Sequence, residues 1–289
     1  MMKSRLFSLI ILLSIITFFT GCTAKKEQGI TMSVSILPQK QWLDILTGKQ
    51  VHVNCLLPPG SNPATYSPTP KQMKEMNQSV YYFYIDQLGF ENVWLPKFKD
   101  LNETTMFINT TAGIVRLEGH HHKGSVEEHE ESDPHLWVSP KEAKKMVEIM
   151  YAMLGYSKLF NQSTLDSNYV ILQNDLNKLD SLFKDAALNA QQKTFVIYHP
   201  ALAYIAHDYG FEQISIEKEG KEPTAAYIKQ LIDEVKSKKI KYIFIQKQFD
   251  KSNAQVIAEE SGAELIEIDP LGYDYMAESE KLANYLKNL

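Results

Sequence analysis

The stretch Leu165-Asp166-Ser167-Asn168-Tyr169-Val170-Ile171-Leu172-Gln173-Asn174-Asp175-Leu176-Asn177-Lys178-Leu179-Asp180-Ser181-Leu182-Phe183 decides the architecture. Leu165, Tyr169, Leu172, Leu176, Leu179 and Phe183 recur at intervals of four and three. That spacing places them along one face of a helix at 3.6 residues per turn. No other part of the 289-residue chain holds a helical pattern this long. Residues 161–189 therefore read as one long helix with different sequence on either side.

Both flanks alternate short β-like runs with helical patterns. Ahead of the long helix, strands are predicted at 32–37, 51–57, 80–85 and 106–109, with a helix at 38–46. Thr69 reads as an N-cap with Pro70 at the first helical position, where a missing N–H costs nothing. Ser139-Pro140-Lys141-Glu142 reads as a capping box. The helix it opens carries Ala143, Met146, Val147, Met150 and Leu154 on one face. Beyond the long helix, strands are predicted at 194–198, 242–245 and 264–268, and helices at 201–208, 224–237, 252–261 and 276–289. Such alternation predicts an α/β protein whose mostly parallel sheets are flanked by helices. The predicted division is a lobe at 30–160 with a histidine-containing loop at 118–133, the helix at 161–189, and a lobe at 190–289. Ligands of such lobes bind outside the carboxyl ends of the strands or in a cleft.

The chain opens with Lys3 and Arg5, then an apolar run over 6–16 interrupted by Ser8 and Ser14, and reaches Phe19-Thr20-Gly21-Cys22. A charged start, an apolar core and small residues before cleavage describe a secretory signal peptide, here residues 1–21. Cys22 after Thr-Gly resembles a bacterial lipobox, whose cysteine is acylated and becomes the mature N-terminus. The other reading is a membrane-spanning anchor, for which the run falls short of the roughly 20 residues needed. Residues 22–29 are polar and aperiodic and read as a tether to a bacterial membrane, with the folded body facing the periplasm or cell exterior. Once Cys22 is lipidated, the remaining cysteine, Cys55, has no partner for an intramolecular disulfide. It reads as a small buried hydrophobe. The net charge is −5 and no basic cluster lies beyond the signal peptide, which leaves no electrostatic footprint for nucleic acid.

The eight histidines are unevenly placed. His120, His121, His122 and His129 lie in one acidic stretch, and His135 follows in Asp133-Pro134-His135-Leu136-Trp137. His199 comes directly after the predicted strand 194–198, and Asp269 directly after 264–268, before Pro270-Leu271-Gly272. Imidazole and carboxylate at strand and loop ends suit a borderline dication such as zinc. A strand-end histidine is also a common hydrogen-bonded structural residue, and spacing alone leaves both readings open. His52 between Val51 and Val53 reads as solvent-facing, and His207 as a surface residue. Tyr66 reads as a core or cleft-wall aromatic. Glu217, Glu219 and Glu222 read most simply as a solvated acidic turn, from which one carboxylate can approach the cleft.

Several segments together resemble the metal-specific solute-binding proteins of ABC importers, the ZnuA/TroA-like family, over almost the whole chain after the tether. They are Ser35-Ile36-Leu37-Pro38-Gln39-Lys40, Leu57-Pro58-Pro59-Gly60, Thr65-Tyr66-Ser67-Pro68-Thr69-Pro70, Trp94-Leu95-Pro96, Asp133 through Pro140, Tyr198-His199 and Asp269-Pro270-Leu271-Gly272. The resemblance implies two α/β lobes joined by a rigid helix with the metal in the cleft between them. It implies a monomeric, non-enzymatic receptor that delivers its ion to an ABC transporter permease. His135, His199 and Asp269 fall on ligand positions. His199, where a carboxylate would suit manganese, resembles the zinc receptors, with manganese or iron the alternative cargo. His120, His121, His122 and His129 resemble the zinc receptors' His-rich capture loop, or form a solvated polar loop with no role.

The loop Gly60-Ser61-Asn62-Pro63-Ala64-Thr65-Tyr66 departs from the family, which places a first histidine where Ala64 stands. A methyl group binds no metal. Three outcomes follow: water completes the site, a loop histidine substitutes, or binding is lost, as in an adhesin-like member with a weakened site. A zinc hydrolase would need a general base beside metal-bound water, and the chain has no HExxH motif.

Overall fold

Short runs rich in β-branched and aromatic residues build two sheets, each of four parallel strands. A computed structural model describes residues 29–119, 132–218 and 220–289. The signal peptide, Cys22, the tether up to residue 28, and His120, His121, His122, His129 and Glu219 lie outside the described residues.

The first lobe runs β1 (Thr31–Val34), α1 (Leu37–Leu46), β2 (His52–Cys55), α2 (Pro70–Asn77), β3 (Tyr81–Tyr84), α3 (Gly89–Leu101) and β4 (Met106–Asn109). A 3-10 turn at Leu136–Val138, α4 (Pro140–Ser157) and the long α5 (Gln162–Asn189) lead to the second lobe. That lobe runs β5 (Thr194–Ile197), α6 (Ala203–Tyr209), β6 (Glu212–Ser215), α7 (Ala225–Lys238), β7 (Tyr242–Gln246), α8 (Ser252–Ser261), β8 (Glu264–Ile268) and α9 (Tyr275–Lys287). The strand orders, β2-β1-β3-β4 and β6-β5-β7-β8, are the same pattern used twice. In each sheet the order reverses beside the lobe's first strand. That switch point, at the carboxyl ends of the strands, is where α/β sheets bind ligands.

The predicted apolar face of the long helix is the buried one. Leu165, Leu172, Leu176, Leu179 and Phe183 are each less than 5% exposed. Burying each contributes about 1.5–3 kcal/mol. Helix α5 packs on α1 and α4 of the first lobe and on α6 and α9 of the second, so one continuous core crosses both lobes. A second cluster, around Val196, Ile243 and Ile257, lies on the other face of the second sheet.

Two local predictions meet different outcomes. Thr69 caps α2, its hydroxyl accepting from Gln72 N–H at 3.3 Å. Ser139 stands at the N-cap of α4 but makes no side-chain cap bond. Its hydroxyl donates instead to Asp208 Oδ2 at 2.5 Å, and Lys141 Nζ donates to Asp208 O at 2.8 Å. The capping-box reading is therefore corrected: a contact between lobes has taken the capping hydroxyl.

Helix α3 carries Pro96 in its interior and is a helix that the sequence pattern does not predict. Gly89 opens it because the 60–66 loop crosses at that point. Phe90 N–H donates to Pro63 O at 2.8 Å, and a Cβ on Gly89 would stand 2.7 Å from Ala64 Cα. Among the described residues no helix is long and apolar enough to cross a membrane.

Candidate functional site

Strand β5 ends at Ile197, two residues before His199, on the switch-point side of its sheet. The neighbouring strand β7 ends on Gln246, whose amide grips the His199 backbone from both sides. Its Oε1 accepts from His199 N–H at 3.3 Å and its Nε2 donates to His199 O at 2.7 Å. The His199 ring stacks on Phe249, with centroids 5.2 Å apart. Glu217 completes the setting: His199 Nδ1 lies 2.8 Å from Glu217 Oε2. The β5–β6 register explains this pair, because Ile197 opposes Ser215 and two residues further on His199 meets Glu217.

His135 stands at the start of the 3-10 turn. Its N–H and its Nδ1 both reach Asp133 Oδ1 at 2.8 Å. Asp133 is buried, and its carbonyl accepts from Tyr204 O–H of the second lobe at 2.9 Å. Tyr204 Oη in turn accepts from Leu117 N–H at 3.1 Å. Trp137 Nε1 donates across to Pro270 O at 2.9 Å. Both sides of the segment bearing His135 are thereby tied to the second lobe, and the ring arrives 5.2 Å from that of His199, centroid to centroid, at 69°.

Each imidazole thus presents Nδ1–H to a carboxylate, which fixes the tautomer and leaves Nε2 as the nitrogen for a metal. Burial holds the His199 imidazole below the usual histidine range, and the nearby His135 adds to this, while Glu217 opposes it. A lowered value keeps the ring neutral, the state a metal requires.

Asp269 follows β8, two strands away from β5 with β7 between. Its Oδ2 accepts from Lys247 Nζ at 3.1 Å. Among the described residues no three His, Cys, Asp or Glu side chains are grouped closely enough to hold a metal. The structure brings His135 and His199 together and turns the Asp269 carboxylate to a lysine. Ala64 lies exposed on its loop, with its N–H donating to Asn62 Oδ1 at 2.8 Å. A cavity of about 20 Å³ lies behind Asp269 among Val138, Leu202, Ile268 and Tyr275. It has room for about one water.

The remaining candidates separate cleanly. His52 is exposed beside Glu75 at 3.5 Å, and His207 is a surface residue beside Asp208 at 3.1 Å. Tyr66 O–H donates to Gln72 at 2.6 Å and its ring meets Phe90 edge-on. The Cys55 thiol donates to Leu57 O at 3.1 Å, and burial pushes it up to about 12, which makes it a poor metal ligand. The loop that carries the other histidines springs from an antiparallel bridge between Glu118 and Ser132, three residues from His135. No local sequence pattern singles out Gln246 or Lys247, and Glu217 reads from its acidic turn as solvated. The Asp-x-His spacing is the local signal that points to Asp133, whereas the Glu217 pairing depends on the β5–β6 register.

Residues 33–289 match the family described as zinc-uptake complex component A, periplasmic. The zinc-binding lipoprotein AdcA of Streptococcus pneumoniae is 27% identical over 93% of this chain, which spans 58% of that protein's length. The high-affinity zinc uptake system protein ZnuA of Bacillus subtilis is 26% identical over 92% of this chain and 86% of its own. A crystal structure of ZnuA superposes with a TM-score of 0.82 at 32% identity, covering 90% of this chain and 98% of that one.

Proposed function

The chain belongs to the family of periplasmic zinc-uptake component A proteins, and on that premise we propose that it captures zinc between its lobes and passes it to an ABC importer. The observation that carries this reading is the facing pair His135 and His199, each with Nδ1 held by its own carboxylate. Nitrogen donors favour zinc over manganese. His135 and His199 supply two ligands, and Asp269 supplies a third once Lys247 releases its carboxylate. Water or a histidine of the 118–133 loop fills the place that Ala64 leaves.

In this reading the chain is a monomeric receptor and carries out no reaction. Cys22 carries lipid and holds the folded body outside a bacterial membrane, as the apolar run before it and the relative named as a lipoprotein both support. His120, His121, His122 and His129 raise the local zinc concentration near the cleft. A permease then takes the ion.

Isothermal titration of the chelator-stripped protein with zinc tests the proposal. One zinc per chain is the expected result. Absence of binding at micromolar metal, or tighter binding of manganese, overturns it.

A further inference from the structure

Lys247 is the first residue after β7, the strand that lies between β5 and β8. Gln246, immediately before it, is locked on the His199 backbone. The topology therefore delivers one cationic side chain between the strand ends that carry His199 and Asp269. Its ammonium reaches the Asp269 carboxylate at 3.1 Å.

We propose that the Lys247 ammonium is the resident cation of Asp269 in the metal-free protein, and that zinc enters by displacing it, so that Lys247 sets the affinity of the cleft. This rests on the reading that His135, His199 and Asp269 hold zinc. A carboxylate oxygen shared between an ammonium and a dication would hold two positive charges within a few ångströms of each other, and they repel. That repulsion favours the departure of one of them. The Lys247 side chain is 47% exposed, against 16% for Asp269, so the lysine is the partner free to move. Glu278 lies within electrostatic range of its ammonium, so the displaced charge has another carboxylate to face; the nearby Glu267 is already paired with Lys251. The exchange requires no covalent step. It makes zinc capture a competition between two cations for one carboxylate, and this lowers affinity relative to an unmasked aspartate.

Zinc titration of the chelator-stripped full chain tests this with Lys247→Met, which keeps an apolar stem of similar length, and with Lys247→Gln. Both variants are expected to bind zinc more tightly than the unaltered protein, by about tenfold or more. Lys247→Arg keeps the charge and should show no gain. In an Asp269→Asn background, Lys247→Met should also bring no gain. Unchanged or weaker binding by both charge-removing variants, while the unaltered protein binds zinc, overturns this inference and leaves the receptor reading standing. Failure of the unaltered protein and of both variants to bind zinc overturns the two together.

Discussion

The imidazoles of His135 and His199 come from opposite lobes and face each other with ring centroids 5.2 Å apart. Neither lobe alone forms the pair. His135 is brought in by a segment tied to the second lobe through Trp137 and Tyr204, and His199 by a parallel strand end clamped through Gln246. The pair is therefore a product of tertiary packing. It joins two lobes whose cores are continuous through α5.

The carboxylates behind the histidines should matter nearly as much as the rings. Asp133→Asn and Glu217→Gln are each expected to weaken zinc binding by about 10- to 100-fold. Calorimetric titration gives the affinities, and circular dichroism shows whether the fold persists. Wild-type affinity in both variants would mean that these carboxylates do not orient ligands.

Position 64 marks the missing family ligand, on an exposed loop. Ala64→His should supply a fourth protein ligand and tighten zinc binding by at least about tenfold, since each ligand carries a sizeable share of a roughly 10–16 kcal/mol binding energy. The same titration decides it. No gain would mean that the 60–66 loop does not approach the metal.

Zinc affinity should depend on pH through the imidazoles. Because burial lowers the His199 value, that ring stays neutral below the usual histidine midpoint of about 6.5. Protons then compete with zinc only in more acidic solution. Titrations at pH 7.5, 6.5 and 5.5 should show zinc affinity falling as the solution is acidified. Equal affinity at all three would exclude histidine ligation.

Glu91 governs a separate dependence, that of stability. It is buried at the start of α3, where it accepts from Ser35 Oγ and from Ile85 N–H at 3.0 Å. Burial pushes its carboxyl up to about 7 from an ordinary 4.5. Between those values the folded chain holds a proton that the unfolded chain has lost. Stability therefore falls as pH rises from about 4.5 to about 7, by about 3 kcal/mol in all, and levels off above. Glu91→Gln mimics the neutral acid and should remove this slope. Urea unfolding at pH 5 and pH 8 measures it, and equal slopes in variant and parent would refute the assignment.

Much of the fold was legible because periodicity reports burial directly. The stripe from Leu165 to Phe183 announced α5, and the strand that ends before Asp269 matched β8 residue for residue. Helix α3 was hidden by Gly89 and Pro96, residues that ordinarily argue against a helix. Gly89 is there because Ala64 crosses it, a contact between segments distant in sequence. Strand β6 was also missed: its four residues, Glu212-Gln213-Ile214-Ser215, include a single apolar side chain, so they show no β pattern. At the site, strand-end placement pointed to His199 and Asp269. The facing of His135 on His199, the Glu217 bond and the Lys247–Asp269 ion pair all depend on register and packing between segments, which no local pattern records. Ser139 shows the converse, a correct cap position whose hydroxyl is used elsewhere.

The most direct test of the central claim is a crystal structure of the chelator-stripped protein soaked with zinc. The account predicts one ion between the lobes, bonded to Nε2 of both His135 and His199 at about 2.0–2.1 Å. Zinc bound elsewhere, or contacting only one of the two histidines, would contradict it.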